Sequence, residues 1–234
     1  MSNVTNNTLH NVKNNEIRRG TYDFERSRAL VAFNRIGVNA FDNCVNLKTI
    51  NIPVWVTNIG CNAFAYCTKL TKVYVPEGEI SDIDNGTFYS CTELKNVDIA
   101  ESSIKRIGEY AFANCKSIKH IVLPDTVKEI GRYAFSNCGK MKDIHISTSC
   151  ETIGEYAFNS CSSLKKVVIP NTVTTISANA FSGCVSLKEI EIPDSVKYIG
   201  NHAFTACFAL KRIIVGRNTE VHPSVSAIIE VLYR

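Results

Sequence analysis

Leu187-Lys188-Glu189-Ile190-Glu191-Ile192-Pro193-Asp194-Ser195-Val196-Lys197-Tyr198-Ile199-Gly200-Asn201-His202-Ala203-Phe204-Thr205-Ala206-Cys207 contains one complete structural unit. From Leu187 the apolar and polar residues alternate through Ile190 and Ile192, with β-branched side chains at the apolar positions, which predicts a short half-buried strand. Pro193 ends that strand because it has no N–H to pair. Val196 and Ile199 form a second apolar pair, and Gly200 predicts a turn with positive φ. Ala203-Phe204 and, three residues later, Cys207 close the unit.

Working outward, the unit repeats along most of the chain. Its aromatic residue returns as Phe41, Phe64, Phe88, Phe112, Phe135, Phe158, Phe181 and Phe204, at intervals of 23 residues and twice of 24. Its thiol returns as Cys44, Cys67, Cys91, Cys115, Cys138, Cys161, Cys184 and Cys207, and the strand opens each time on Leu47, Leu70, Leu94, Ile118, Met141, Leu164, Leu187 or Leu210. The turn position is glycine in six rungs and Asp84 or Ser177 in the other two. The extra residue of the two longer rungs falls near Glu77-Gly78-Glu79 and Ser102-Ser103, between strand and turn, where a bulge leaves the strands in register. One unit has too few apolar positions to make a core, so neighbours must stack and bury one another's faces. The expected fold is a repeat solenoid of about eight turns. Strands spaced at roughly 4.8 Å make it about 35–40 Å long. Phe and Cys should form ladders, and the return segments should be irregular or short-helical.

The motif Leu-x-x-Ile-x-Ile-Pro-x-x-Val-x-x-Ile-Gly-x-x-Ala-Phe-x-x-Cys, as it stands in Leu187 to Cys207, resembles the BspA-type, or treponemal-type, leucine-rich repeat. The resemblance covers residues 36–215, about three quarters of the chain, and is specific because it recurs in register. It implies short parallel strands on a concave face. It also implies roles in attachment to host cells or matrix proteins, since members are largely surface proteins of mucosal bacteria and parasitic protists.

Both ends depart from the pattern. Residues 1–20 are rich in asparagine without periodicity, which predicts a disordered tail. Residues 21–35 read as an N-terminal cap and residues 216–234 as a C-terminal cap, the latter with Val225, Ile228, Ile229 and Leu232 at helical spacing. Such caps shield the open ends of a solenoid.

The totals exclude several classes. With 45% hydrophobic and 21% charged residues the composition is that of a folded globular chain. Without an apolar run of 18 residues it has no membrane span, and its first 35 residues lack the features of a secretory signal. The expectation that follows is the cytoplasm or, by an unconventional route, the cell surface, without a choice between them. A net charge of +4 does not by itself call for nucleic acid.

Ten cysteines raise the question of disulfides or zinc. Ladder thiols point the same way and lack the paired spacing of zinc ligands, so buried free thiols are expected. Cys150 takes a buried Val position, whereas Cys61, just after Gly60, is the expected exposed thiol. Free thiols favour a reducing compartment.

The outward positions of the strands form two columns that supply the candidate binding face: Lys72, Tyr74, Asp98, His120, Asp143, His145, Lys166, Glu189, Glu191 and Arg212. The position just before them gives a basic rim of Lys48, Lys95, Lys119, Lys142, Lys165, Lys188 and Lys211, interrupted by Thr71. That rim could hold an acidic protein or polymer or simply aid solubility, and no aromatic ladder interleaves with it to stack bases. His120, Asp143, His145 and Asp98 are the materials of a metal or acid–base site, but an open sheet offers no cleft to exclude water. Tyr110, Tyr133 and Tyr156 read as packing on the return side. With no phosphate loop or nucleophile elbow, the expectation is a non-enzymatic protein-binding module without cofactor or metal. Adhesion to host proteins is the leading role, and an intracellular scaffold or an acidic-polymer binder using the lysine rim are the alternatives.

Overall fold

A computed structural model describes residues 3–5, 8–10 and 34–234. Each rung opens with a strand: Thr49–Asn51, Lys72–Tyr74, Asn96–Asp98, His120–Val122, Asp143–His145, Lys166–Val168, Glu189–Glu191 and the longer Arg212–Val215. Pairing is parallel and in the expected register, with Lys72 beside Asn96, His120 beside Asp143 and Lys166 beside Glu189. The middle residue points into the core and its neighbours point out. The ladder is not continuous. It breaks between Asp98 and His120, between His145 and Lys166, and between Glu191 and Arg212, leaving one three-stranded and three two-stranded sheets.

The return segments are more regular than the sequence implies. Two-residue strands, each ending on a fully buried Ile or on Val221, stack in parallel from Asp82–Ile83 to Glu220–Val221 in a seven-stranded sheet. Two β-branched residues are too short a run to announce a strand, and only stacking gives them partners on both sides.

A third backbone ladder runs through the Phe turns. Phe112 and its flanking Tyr110 and Asn114 donate their N–H groups to the carbonyls of Ala134, Arg132 and Ser136 in the next rung. Positive φ at the residue two before each Phe and at the residue just before each Cys aims these alternate N–H groups along the stack. Of these positions only Gly86 and Gly183 are glycine, and Asn fills many of the rest, as its tolerance of left-handed backbone allows.

The repeated turn glycine therefore has a different purpose from the one expected. None of Gly60, Gly108, Gly131, Gly154 and Gly200 has positive φ. A Cβ on Gly154 would lie 2.8 Å from the backbone of both Gly131 and Arg132. Glycine is there because backbones of successive rungs touch. Gly154→Ala should cost about 1–3 kcal/mol, as overpacking does in a tight interior. Gly139→Ala, whose Cβ would meet only Ser162 Oγ at 3.5 Å, should be nearly neutral. Equal urea midpoints for the two variants would contradict this reading.

The core is built from ladders. All eight ladder phenylalanines are buried and stack face to face, with centroids 4.9–5.8 Å apart and planes within 16°. The ladder cysteines fill a small apolar slot, as expected, and also hydrogen-bond. Each thiol from Cys67 to Cys207 donates to the Phe carbonyl of the preceding rung at 3.1–3.2 Å. That same carbonyl accepts the N–H of the Cys in its own rung, so both of its lone pairs are occupied.

The ends differ from the sequence reading. After the last full rung only Pro223–Ser226 is helical, and Glu230–Tyr233 is a strand parallel to Arg212–Val215. The helical spacing of the C-terminal cap gives way because the open edge of Arg212–Val215 offers backbone partners that a helix cannot use. Val225 and Ile229 bury themselves in the core below. Within the tail expected to lack structure, Asn3–Thr5 and Thr8–His10 pair antiparallel, and Thr8–His10 runs parallel to Arg35–Ile36. The rest of residues 1–20, and the N-terminal cap up to residue 33, lie outside the described residues.

Candidate interaction surface

Regular stacking turns the variable strand positions into a surface one rung deep and eight rungs long. The middle of this surface is knit across rungs. His120 Nδ1 lies 2.7 Å from the Asp143 carboxylate, with both side chains more than half exposed. His145 sits 4.0 Å from Asp125 rather than joining that pair. Lys166 bridges Glu189 at 3.9 Å and Glu191 at 2.6 Å, and its hydrogen bond to Glu191 together with the two negative charges raises the lysine pKa. Tyr74, Val122, Val168 and Ile214 stand out as exposed large apolar side chains among these charges.

Two open depressions mark the face, and both fall where the strand ladder is interrupted. Lys72, Asp98 and His120 line the first with Lys95 and Lys119. Asp143, His145, Glu189, Glu191 and Arg212 line the second with Val168, Ile214 and Lys188. A ladder break lets adjacent strands splay and exposes the flanks of their side chains, which the repeat pattern cannot reveal. Eight of the ten candidate residues are thus divided between a basic depression and one in which Asp143, Glu189 and Glu191 face Lys188, Arg212 and Arg234, while Tyr74 and Lys166 line neither. A solvated His–Asp pair on an open sheet can bind a partner group, but its field is damped by water. Among the described residues no three His, Cys, Asp or Glu side chains are placed to hold a metal ion, and no helix is long and apolar enough to cross a membrane.

The return side carries an aromatic ribbon longer than repeat reading suggests. Tyr110, Tyr133 and Tyr156 stack at 4.7 and 4.5 Å, which satisfies most of their faces against one another. Tyr66 and Tyr89 extend the row by edge contacts. They come from different repeat positions, so no single column of the repeat contains all five.

All ten cysteines are free thiols. Cys61, expected to be exposed, is only half-buried, since the next rung's Asp84 and Asn85 lie over it. Burial first, then the charge and hydrogen bond of Asp84, raise its pKa. It should therefore be the first thiol alkylated in the native protein, but more slowly than a free thiol, because the thiolate is the nucleophile. Intact-mass measurement should show a single adduct before unfolding. Several adducts accumulating on folded protein would contradict the buried ladder.

Residues 20–139 and 83–211 match a family described as BspA type Leucine rich repeat region, in six copies. No curated protein matches the chain. Among solved structures the fold is similar to the T. pallidum leucine rich repeat protein TpLRR, with 23% identity, a TM-score of 0.58, and 90% of this chain and 87% of that one covered. It is also similar to a leucine rich cell surface protein from Faecalibacterium prausnitzii A2-165, with 22% identity, a TM-score of 0.48, and 86% and 77% covered.

Proposed function

This chain belongs to the BspA-type leucine-rich repeat family, and from that premise we propose that it is a non-enzymatic protein-binding module whose partner lies across the outward side of the three-residue strands. One observation carries the assignment of the face. Along each strand the inward residue is held to Ile or Val, while the outward residues change from rung to rung through Tyr, His, Asp, Lys, Glu and Arg. Packing accounts for the first pattern and places no demand on the second. Exposed Tyr74 and Arg212 are the residue types that dominate interface energetics. Attachment to host-cell or matrix proteins is the role that fits the family.

Binding to a panel of immobilised matrix proteins, with Tyr74→Ala, His120→Ala, His145→Ala and Arg212→Ala combined as control, tests the reading. Truncating Tyr74 or Arg212 alone should cost more than about 1 kcal/mol of affinity. Thermal stability should move by less than about 0.5 kcal/mol, as for other exposed sites. A matrix partner that binds the quadruple variant as tightly as the wild type would move the site off this face.

A further inference from the structure

We propose that the lysine edge of the strand face is a binding rail for a linear sulfated polysaccharide, a site that borders the protein-binding face and shares Lys95, Lys119 and Lys188 with its depressions. The seven lysines just ahead of the strands occupy equivalent positions and are all exposed. Their backbones are tied rung to rung: Lys142 N–H donates to the Lys119 carbonyl at 2.8 Å, Lys165 to Lys142 at 3.2 Å and Lys188 to Lys165 at 2.9 Å.

Three observations point to a ligand. The first is persistence. The exposed residue that follows each of these lysines has diverged to Thr, Asn, His, Asp, Lys, Glu or Arg, yet the lysine is kept in seven rungs of eight. Burial explains a constant Phe and does not explain a constant exposed Lys. The second is that the charges are unneutralised. Lys128, Arg132 and Lys166 each pair with a carboxylate of the next rung, whereas none of the seven edge lysines has a carboxylate within 4.0 Å among the described residues. A row of like charges about one strand spacing apart opposes folding, and a polyanion would relieve that repulsion while releasing its own counterions.

The third is polarity across the sheet. Glu77, Glu79, Glu101, Asp125 and Asp194 are exposed on the turns that leave the strands, where cations gather only around the last rungs, with Arg217 exposed, Lys197 reaching the Asp194 carbonyl and Arg234 pairing with the Asp194 carboxylate, among the described residues. A flexible polyanion is therefore attracted to one edge and repelled from the other, which confines it to a line parallel to the stack. Two positions before the lysines, four of the seven rungs carry Asn46, Ser117, Ser163 or Ser186, small polar groups suited to sugar hydroxyls and sulfate oxygens, and the others carry Glu93, Lys140 and Ala209. Apart from Phe208 in the last rung, no exposed aromatic side chain among the described residues lies beside the rail to stack bases, which favours a polysaccharide over nucleic acid.

The test uses size-fractionated heparin as the probe. Lys119→Gln/Lys142→Gln/Lys165→Gln is compared with Lys105→Gln/Lys128→Gln/Lys197→Gln, which removes the same charge from the return side, and folding of both is checked by circular dichroism. The edge variant should lose about tenfold or more in affinity at physiological salt, with a shallower dependence of log K on log salt. The return-side variant should stay within about twofold of wild type, because screening confines the effect to nearby charges. Affinity should rise with oligosaccharide length up to a span of about 34 Å, seven strand spacings. The quadruple strand-face variant should bind heparin normally, so failure of the protein-binding reading and failure of this one are distinguishable. Equal losses in the edge and return-side variants would reduce the effect to net charge and overturn the proposal. So would the absence of heparin binding at physiological salt, or displacement of heparin by an equal charge of poly-U RNA.

Discussion

Phe158→Ala should lower stability by about 3–5 kcal/mol, the usual range for truncating a buried aromatic. Phe158 is fully buried and stacked between Phe135 at 5.5 Å and Phe181 at 5.2 Å. Its N–H is committed to the Ala180 carbonyl, and its carbonyl accepts the Cys161 N–H and the Cys184 thiol. Backbone ladders on both sides pin the neighbouring rungs, so the void cannot close by collapse, and the size of the residual cavity sets the cost. Phe204, with a phenylalanine on one side only, should lose less on the same change. Lys165→Ala, at an exposed position, should shift stability by less than about 0.5 kcal/mol. Urea unfolding of the three variants measures the series, and a Phe158→Ala midpoint equal to that of Lys165→Ala would falsify the stacked core.

The protein should also unfold in mild alkali, without denaturant. Burial pushes the thiols of Cys67, Cys91, Cys115, Cys138 and Cys184 well above the ordinary cysteine value, Cys161 to about 12 and Cys150 to about 11. The unfolded chain releases these protons near pH 8.5, the usual thiol pKa, while the folded chain holds them. Below that pH both states are protonated and the stabilisation is complete. As pH rises toward the folded values, each thiol removes up to about 1.4 kcal/mol per pH unit. Seven of them acting together exceed the usual total of about 5–15 kcal/mol within one to two pH units. Urea midpoints should therefore be nearly flat from pH 7 to 8 and fall steeply by pH 10. Cys115→Ala/Cys138→Ala/Cys161→Ala should start less stable, having lost three S–H bonds to Phe carbonyls, and should show a shallower pH slope. A wild-type midpoint unchanged between pH 7 and pH 10 would mean that these thiols are not buried.

Much of this protein was written in the linear order of its residues. The spacing of Phe41 through Phe204, with a Cys three residues after each, was enough to establish the solenoid, the Phe and Cys ladders and the register of the strand columns. In a stack of equivalent rungs, sequence period and spatial neighbour are the same thing. The candidate face and the lysine edge followed from that identity. What tertiary structure alone decided are contacts between groups whose meeting no one rung specifies. Gly154 is glycine because the backbone of Gly131 lies against it, not because its own φ demands it. The cysteines proved to be donors as well as fillers because the Phe carbonyl 26 or 27 residues earlier lies within reach of Sγ. Asp84 and Asn85 cover Cys61, and the C-terminal cap turns from helix to strand because Arg212–Val215 leaves an edge to be paired. The breaks in the strand ladder divide the face into two depressions, and the repeat gives no sign of where they fall. A repeat describes what every rung has in common, whereas closeness of approach, splay and pairing across rungs depend on the differences between neighbours in space.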